Sequence, residues 1–143
     1  MNSNMNRDLF HLLNQRYRYI AKEMNNLLRE YGLYASQWSI IYCLEKFGSM
    51  TQTEIWKYLN VEAPTVTRTI TRLENNGWII RTQGNDKRER VIALTSDAKD
   101  KFATIHQKMD RLEESMLASF TSEEKADLQQ LLLKINATGE ELD

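Results

Sequence analysis

Arginine and threonine, rather than histidine or cysteine, carry the chemistry that the spacing of this sequence allows. Between positions 64 and 72 the chain reads PTVTRTITR, four threonines and two arginines wound around Val66 and Ile70, with Leu73 following. On a helix Val66, Ile70 and Leu73 share one apolar face, which leaves Pro64, Thr65, Thr67, Arg68, Thr71 and Arg72 outside it, with no acid before Glu74. Such a short, cationic face suits phosphates and base edges, where a guanidinium fork can pair with guanine O6 and N7. Threonine is a poor helix former, so a helix with only a structural task would carry Glu, Lys or Ala on its exposed side. A second concentration of charge, GNDKRER at 84–90, sets five consecutive charged side chains directly before the apolar run Val91-Ile92-Ala93-Leu94.

The residues of ordinary catalytic and metal chemistry offer much less. His11 and His106 lie far apart, and neither has ligand spacing with another His or Cys. Each reads as a surface or interface residue. There is no P-loop, no Gly-rich dinucleotide fingerprint and no nucleophile-base pair, so the expectation is no enzyme, no metal and no cofactor. Cys43, the single cysteine, is flanked by Ile40, Ile41 and Leu44 and reads as core.

The elements that would position the arginines follow from local signals. Leu9, Leu13, Tyr17, Ile20, Met24, Leu27 and Tyr31 recur at steps of three and four, the stripe of a long helix ending near Gly32. A second helix is expected after an N-cap at Ser36, burying Ile40, Ile41, Leu44 and Phe47 and stopping at Gly48. Thr51-Gln52-Thr53-Glu54 has the form of a capping box and opens a short helix over 52–59 that buries Ile55 and Leu59. Pro64, with its fixed φ and missing amide, suits the first position of the next helix, which ends before Gly77.

Two short helices joined by a four-residue turn have the layout of a helix-turn-helix, whose second helix can enter a DNA major groove. Trp78-Ile79-Ile80-Arg81-Thr82 and Val91-Ile92-Ala93-Leu94 then read as the two strands of a hairpin. This is a winged helix, and the five charges fall on its tip. Asp86, Lys87, Arg88 and Arg90 are the wing candidates. An arginine there can reach a narrow minor groove, which concentrates negative potential, and Asp86 would brace Arg88.

Composition sets the frame for these motifs. The 143 residues suffice for one core, 41% are hydrophobic and there is one proline, which points to a mainly α chain with a small β-hairpin. The expected organisation is a single domain over 1–143, with 35–95 as the winged helix-turn-helix and 1–34 and 96–143 as mainly dimerisation helices. The net charge of −1 hides a gradient: +1 over residues 1–62, +3 over 63–92 and −5 over 93–143. The sequence pI of about 6.2 is low for a nucleic-acid binder, so DNA contact must rest on the local patch. No run approaches a membrane span, and MNSNMNRDLF lacks the regions of a signal peptide, so a cytoplasmic location without membrane contact is expected.

The ordered fragments TQTEI, PTVTRTITRLENNGWIIR, DKR and LT resemble the MarR (multiple antibiotic resistance regulator) family of bacterial winged-helix transcription factors. The resemblance spans nearly the whole chain. It implies a homodimer bound to double-stranded DNA at a pseudo-palindromic operator, acting as a repressor released by a small ligand or by oxidation. It further implies base-edge contacts from Thr65, Thr67 and Arg68, phosphate contacts near Thr71 and Arg72, Arg88 in the minor groove, and backbone contacts from Thr51 and Gln52. Two positions depart from the family pattern, and one feature of its oxidation-sensing branch is missing. Ala98 stands where a glycine is common, Trp56 stands where a small residue is usual, and the first helix has no cysteine, which disfavours peroxide sensing.

Dimerisation can also be argued from the residues. Ala98, Phe102, Ile105, Met109, Leu112 and Met116 form a heptad-like seam, and a second capping box at Thr121-Ser122-Glu123-Glu124 opens a last helix with Leu128, Leu131, Leu132 and Ile135. With the first helix, these carry more apolar surface than a small winged helix can cover, and a partner chain is the natural cover. The final GEELD is expected to fray. Tyr17, Met24, Trp38, Trp56 and Met109 would suit an aromatic or amphipathic effector, yet none is assigned as its site. The alternative reading is a winged-helix module that docks an acidic protein and binds no specific DNA.

Overall fold

The computed structural model describes residues 2–84 and 89–136, with side chains from residue 4 onward. Contacts divide the chain into two compact units, 1–109 and 110–143. In the first, helix α1 (Asn2–Leu28) runs into a 3-10 turn at Arg29–Tyr31, which Gly32 ends in the left-handed conformation that glycine adopts without a Cβ clash. Helix α2 (Ala35–Phe47), strand β1 (Met50–Thr51), helix α3 (Gln52–Leu59), helix α4 (Ala63–Asn75) and strands β2 (Ile79–Gln83) and β3 (Arg90–Leu94) follow, and helix α5 (Ser96–Met116) begins directly after β3. Mainly helical, with a small antiparallel sheet, this is the expected fold class.

Local chemistry explains most of the boundaries, and three differ from expectation. Helix α2 starts at Ala35 rather than after Ser36. Gln37 Oε1 accepts the Tyr34 amide at 2.9 Å and Asn25 Oδ1, from α1, accepts the Ala35 amide at 2.7 Å, so the cap comes from inside the helix and from another helix. Pro64 occupies the second helical position, behind Ala63, where its missing amide is still harmless. The hairpin begins at Ile79, because Trp78 belongs to the turn in which its amide reaches the Leu73 carbonyl and Gly77 takes φ +82°. The capping box of α3 forms as expected: Thr51 Oγ1 accepts the Glu54 amide and Glu54 Oε1 accepts the Thr51 amide, both at 3.1 Å.

The sheet has the order β1-β3-β2, with Ile79 opposite Leu94 and Arg81 opposite Ile92 in the hairpin and Met50 opposite Ile92 on the far side. Strand β1 is two residues long and carries no pattern of its own, so only its pairing with β3 reveals it. The core fills the space between the sheet and the helices. Ile41, Leu44, Ile55, Ile70, Leu73, Ile79 and Ile92 are buried there, with Leu59 half-buried at its edge. Phe47 departs from expectation: it is 50% exposed and meets Tyr58 edge-on, because it sits in the last turn of α2 beyond the core. Removal of this much apolar surface from water is the main stabilising term for so small a unit.

The seam on α5 also needs correction. Ala98, Phe102, Ile105 and Met109 are buried within their own chain, and Phe102 stacks on Trp38 of α2 with ring centroids 5.1 Å apart. This half of the seam serves the internal core, whereas Leu112 and Met116 are half-buried. Thr95 anchors the start of α5: its hydroxyl donates to the Gly77 carbonyl at 2.7 Å and accepts the Ala98 amide at 3.1 Å. The turn after α4 is thereby tied to the exit of the hairpin.

In the second unit, the end of α5 closes with the Leu117 amide on the Glu113 carbonyl, and helix α6 (Ser122–Leu133) opens with the expected capping box between Thr121 and Glu124. The GEELD segment lies outside the described residues.

Candidate nucleic-acid interface

Helix α4 presents the face that its sequence pattern specifies. Val66, Ile70 and Leu73 are buried, whereas Pro64, Thr67, Arg68, Thr71 and Arg72 are exposed and Thr65 is half-buried. The threonine hydroxyls are already engaged. Thr67 Oγ1 donates to the Ala63 carbonyl at 3.0 Å, Thr69 Oγ1 to the Thr65 carbonyl at 2.9 Å and Thr71 Oγ1 to the Thr67 carbonyl at 2.9 Å. Bonding back to the carbonyl four residues earlier is one way a threonine is accommodated inside a helix. It leaves methyl groups and oxygen lone pairs, rather than hydroxyl donors, facing outward. Arg68 lies over the same surface, its Nη2 3.4 Å from Thr65 Oγ1.

Arg81 is the residue that reading along the sequence missed. From the middle of β2 its Nη2 donates to Thr71 Oγ1 at 3.0 Å, and its Nε lies 3.4 Å from Glu74 Oε1. That second contact is an ion pair rather than a hydrogen bond, since the enclosed Nε has no hydrogen-bond partner of good geometry. The only acid on the outer face of α4 is therefore held by a cation from the hairpin. The signal was present: alternation puts Arg81 on the same strand face as buried Ile79, and a charged side chain turned inward needs a partner.

At the N-terminus of α3, half-buried Thr51 and Gln52 join Thr53, Glu54, Glu89 and Arg90 around a shallow depression beside the base of the hairpin. This brings the two expected backbone-contacting residues next to Arg90, which is exposed at the start of β3 opposite Gln83. The Thr51 hydroxyl accepts within the capping box and retains its own proton to donate. Gln52 Nε2 is enclosed and unpaired, so in this conformer the amide nitrogen does not face outward. Asp86, Lys87 and Arg88 lie outside the described residues.

Residues elsewhere behave as small parts of a packed fold. Cys43 is buried, and burial pushes its thiol above the ordinary value, against a weaker opposing effect of Lys46. Such a thiol is a poor nucleophile. His106 stacks on Phe102 at 5.1 Å and on Tyr42 at 6.1 Å, while His11 is exposed. Trp56 is half-buried and packed against the core, and with Lys57, Asn60 and Pro64 it also lines an open surface depression. Among the described residues no group of three or more His, Cys, Asp or Glu could hold a metal ion, and no helix is long and apolar enough to cross a membrane.

The geometry has close counterparts among known proteins. The family model described as the MarR family matches residues 33–89. An uncharacterized HTH-type transcriptional regulator of Bacillus subtilis, YwoH, is 57% identical over 123 residues, which are 86% of this chain and 90% of that protein. The multiple antibiotic resistance protein MarR of Salmonella typhimurium is 31% identical over 129 residues, 89% of this chain and 88% of the relative. Among solved structures, a mutant MarR from Escherichia coli complexed with operator DNA superposes with a TM-score of 0.78 at 27% identity, covering 91% of this chain and 92% of the other. The organohalide-sensing regulator RdhR in its 2,4-dichlorophenol-bound form reaches 0.83 at 26% identity, covering 91% and 78%.

Proposed function

The chain belongs to the MarR family of transcriptional regulators, and from that premise we propose that it is a ligand-responsive repressor that binds a pseudo-palindromic operator as a homodimer. The observation that carries this reading is the outer face of α4. It offers two exposed arginines and a row of threonine methyls, and its one acid is paired by Arg81. In the major groove that face would set Thr65, Thr67 and Arg68 against base edges and Arg72 against phosphate, with Thr51 and Arg90 along the backbone and Gln52 joining them once its enclosed amide turns outward. Asp86, Lys87 and Arg88 would form the wing tip, with Arg88 in the minor groove. The Thr71 hydroxyl already donates to the Thr67 carbonyl and accepts from Arg81, so Arg72 would carry the phosphate contact expected near these two residues.

Apolar surface supports the dimer. On α1, Leu9 is 52% exposed, Phe10 53% and Ile20 41%, and on α6 Leu131 is 58% and Leu133 59% exposed. Exposed apolar side chains in such number along two helices are the mark of an interface. A two-fold pair would set its recognition helices about one DNA turn, ~34 Å, apart. A small-molecule effector is supported by the ligand-bound neighbour, whose occupant is a chlorinated phenol.

The test is a fluorescence-anisotropy titration against duplexes drawn from the DNA flanking the coding sequence, with salt varied and Arg88→Ala alongside. Binding should be tighter than to random duplex. The variant should lose about 1–3 kcal/mol and lower the salt slope by about one. Affinity equal to that for random DNA and indifferent to Arg88 would favour the protein-docking alternative.

A further inference from the structure

Arg81 touches a threonine hydroxyl and a glutamate of α4 and, through the threonine, connects to a helix carbonyl. Its Nη2 donates to Thr71 Oγ1 at 3.0 Å, and the same hydroxyl donates to the Thr67 carbonyl at 2.9 Å. Donor and acceptor are both used, so the Thr71 hydroxyl links the hairpin to the backbone of the recognition helix one turn from its end. Glu74 Oε1 approaches Arg81 Nε at 3.4 Å, and the Arg81 side chain is only 22% exposed. A guanidinium so enclosed keeps its place only while its partners stay, because water cannot fully replace them.

We propose that Arg81 is a positioning residue for DNA binding, which fixes the angle between the β2–β3 hairpin and α4 and so the distance between major-groove and wing contacts. The inference rests on the DNA-binding reading above. Two elements that must engage one duplex together gain affinity when their relative placement is set in advance, since the second contact then costs little further ordering. The hairpin is also held by core packing of Ile79 and Ile92 with Ile70 and Leu73, and the Thr95 hydroxyl on the Gly77 carbonyl ties the exit of β3, but among the polar side-chain contacts described it is Arg81 that joins the body of β2 to α4. Arg81 supplies a polar contact partway along β2, farther from the base of the hairpin than the Thr95 bond.

A competing role, Arg81 as a phosphate contact, predicts the opposite sign for its partner. Glu74 would then compete with DNA, and Glu74→Gln would tighten binding by removing both the competitor and a repulsive charge. As a positioning pair, Glu74→Gln weakens binding although the protein becomes less negative. The experiment measures anisotropy Kd values for wild type, Glu74→Gln and Thr71→Val on the full operator and on a duplex shortened so that the wing has no groove to enter. Circular dichroism melts confirm folding. Glu74→Gln should lose about threefold to tenfold on the full operator and stay within about twofold of wild type on the shortened one, and Thr71→Val should lose more on the full operator than on the shortened one. Unchanged or tighter binding by Glu74→Gln on the full operator, or equal losses on both duplexes, would overturn the proposal. Wild-type binding no better than to random DNA would instead remove the reading on which it rests, and the inference with it.

Discussion

Thr67, Thr69 and Thr71 of the recognition helix each spend the hydroxyl proton on the carbonyl four residues earlier, and this changes what the face can read. A free hydroxyl could donate to a guanine or thymine oxygen, whereas Thr67 and Thr71 as they stand present methyl groups and lone pairs. Apolar contact with the thymine C5-methyl is the readout that fits. Thr67→Val, which keeps the methyl, should bind the operator within about twofold of wild type, and Thr67→Ser, which removes it, should lose about threefold or more. Replacing the contacted thymine with uracil should weaken wild type by a similar factor and leave Thr67→Ser unmoved. A Thr67→Val loss as large as that of Thr67→Ser would show that the oxygen, not the methyl, makes the contact.

Helix α5 meets the 3-10 turn after α1 through one ion pair at the level of elements. Lys108 Nζ donates to Glu30 Oε1 at 2.7 Å and lies 5.1 Å from the centre of the Tyr31 ring. The bond from Lys108 lowers the Glu30 carboxyl below its ordinary value, and the bond to Glu30 raises the Lys108 ammonium. For the depressed carboxylate, the stabilisation is complete above the unfolded value and is lost as pH falls through the folded one. For the raised ammonium, it is complete below the unfolded value and lost as pH rises through the folded one. Melting temperatures of wild type and Lys108→Met should therefore differ most between these limits and converge as the carboxylate protonates in acid. High salt should shrink the difference, because both groups are exposed. A difference that persists below the carboxylate range would assign it to lost packing on Tyr31.

Charge is sorted along the whole chain. Residues 63–92, which include α4 and β2, carry +3, whereas residues 93–143 carry −5. Exposed apolar surface suits dimerisation through α1 and the C-terminal helices. Leu9→Glu combined with Leu131→Glu should shift the protein toward monomer in sedimentation velocity at micromolar concentration. Operator affinity should fall with it, since each half-site would then be bound alone. A double variant that stays dimeric would move the interface elsewhere.

Sequence alone determined the parts whose cause is local. The capping boxes at Thr51 and Thr121, the glycine stops at Gly32 and Gly48, and the buried face Val66-Ile70-Leu73 were all legible, because hydrogen bonds over three residues and a helical period leave a direct trace in residue order. So was the content of the binding face, arginine and threonine with one late acid. Tertiary structure decided what depends on residues distant in the chain. Asn25 replaced Ser36 as a cap of α2, β1 formed only against β3, half of the α5 seam went to Trp38 and the internal core, and Arg81 took Thr71 and Glu74 as partners. Each of these is a long-range hydrogen bond, pairing or packing contact, and its free energy depends on where the backbone brings a second segment rather than on any pattern within the first.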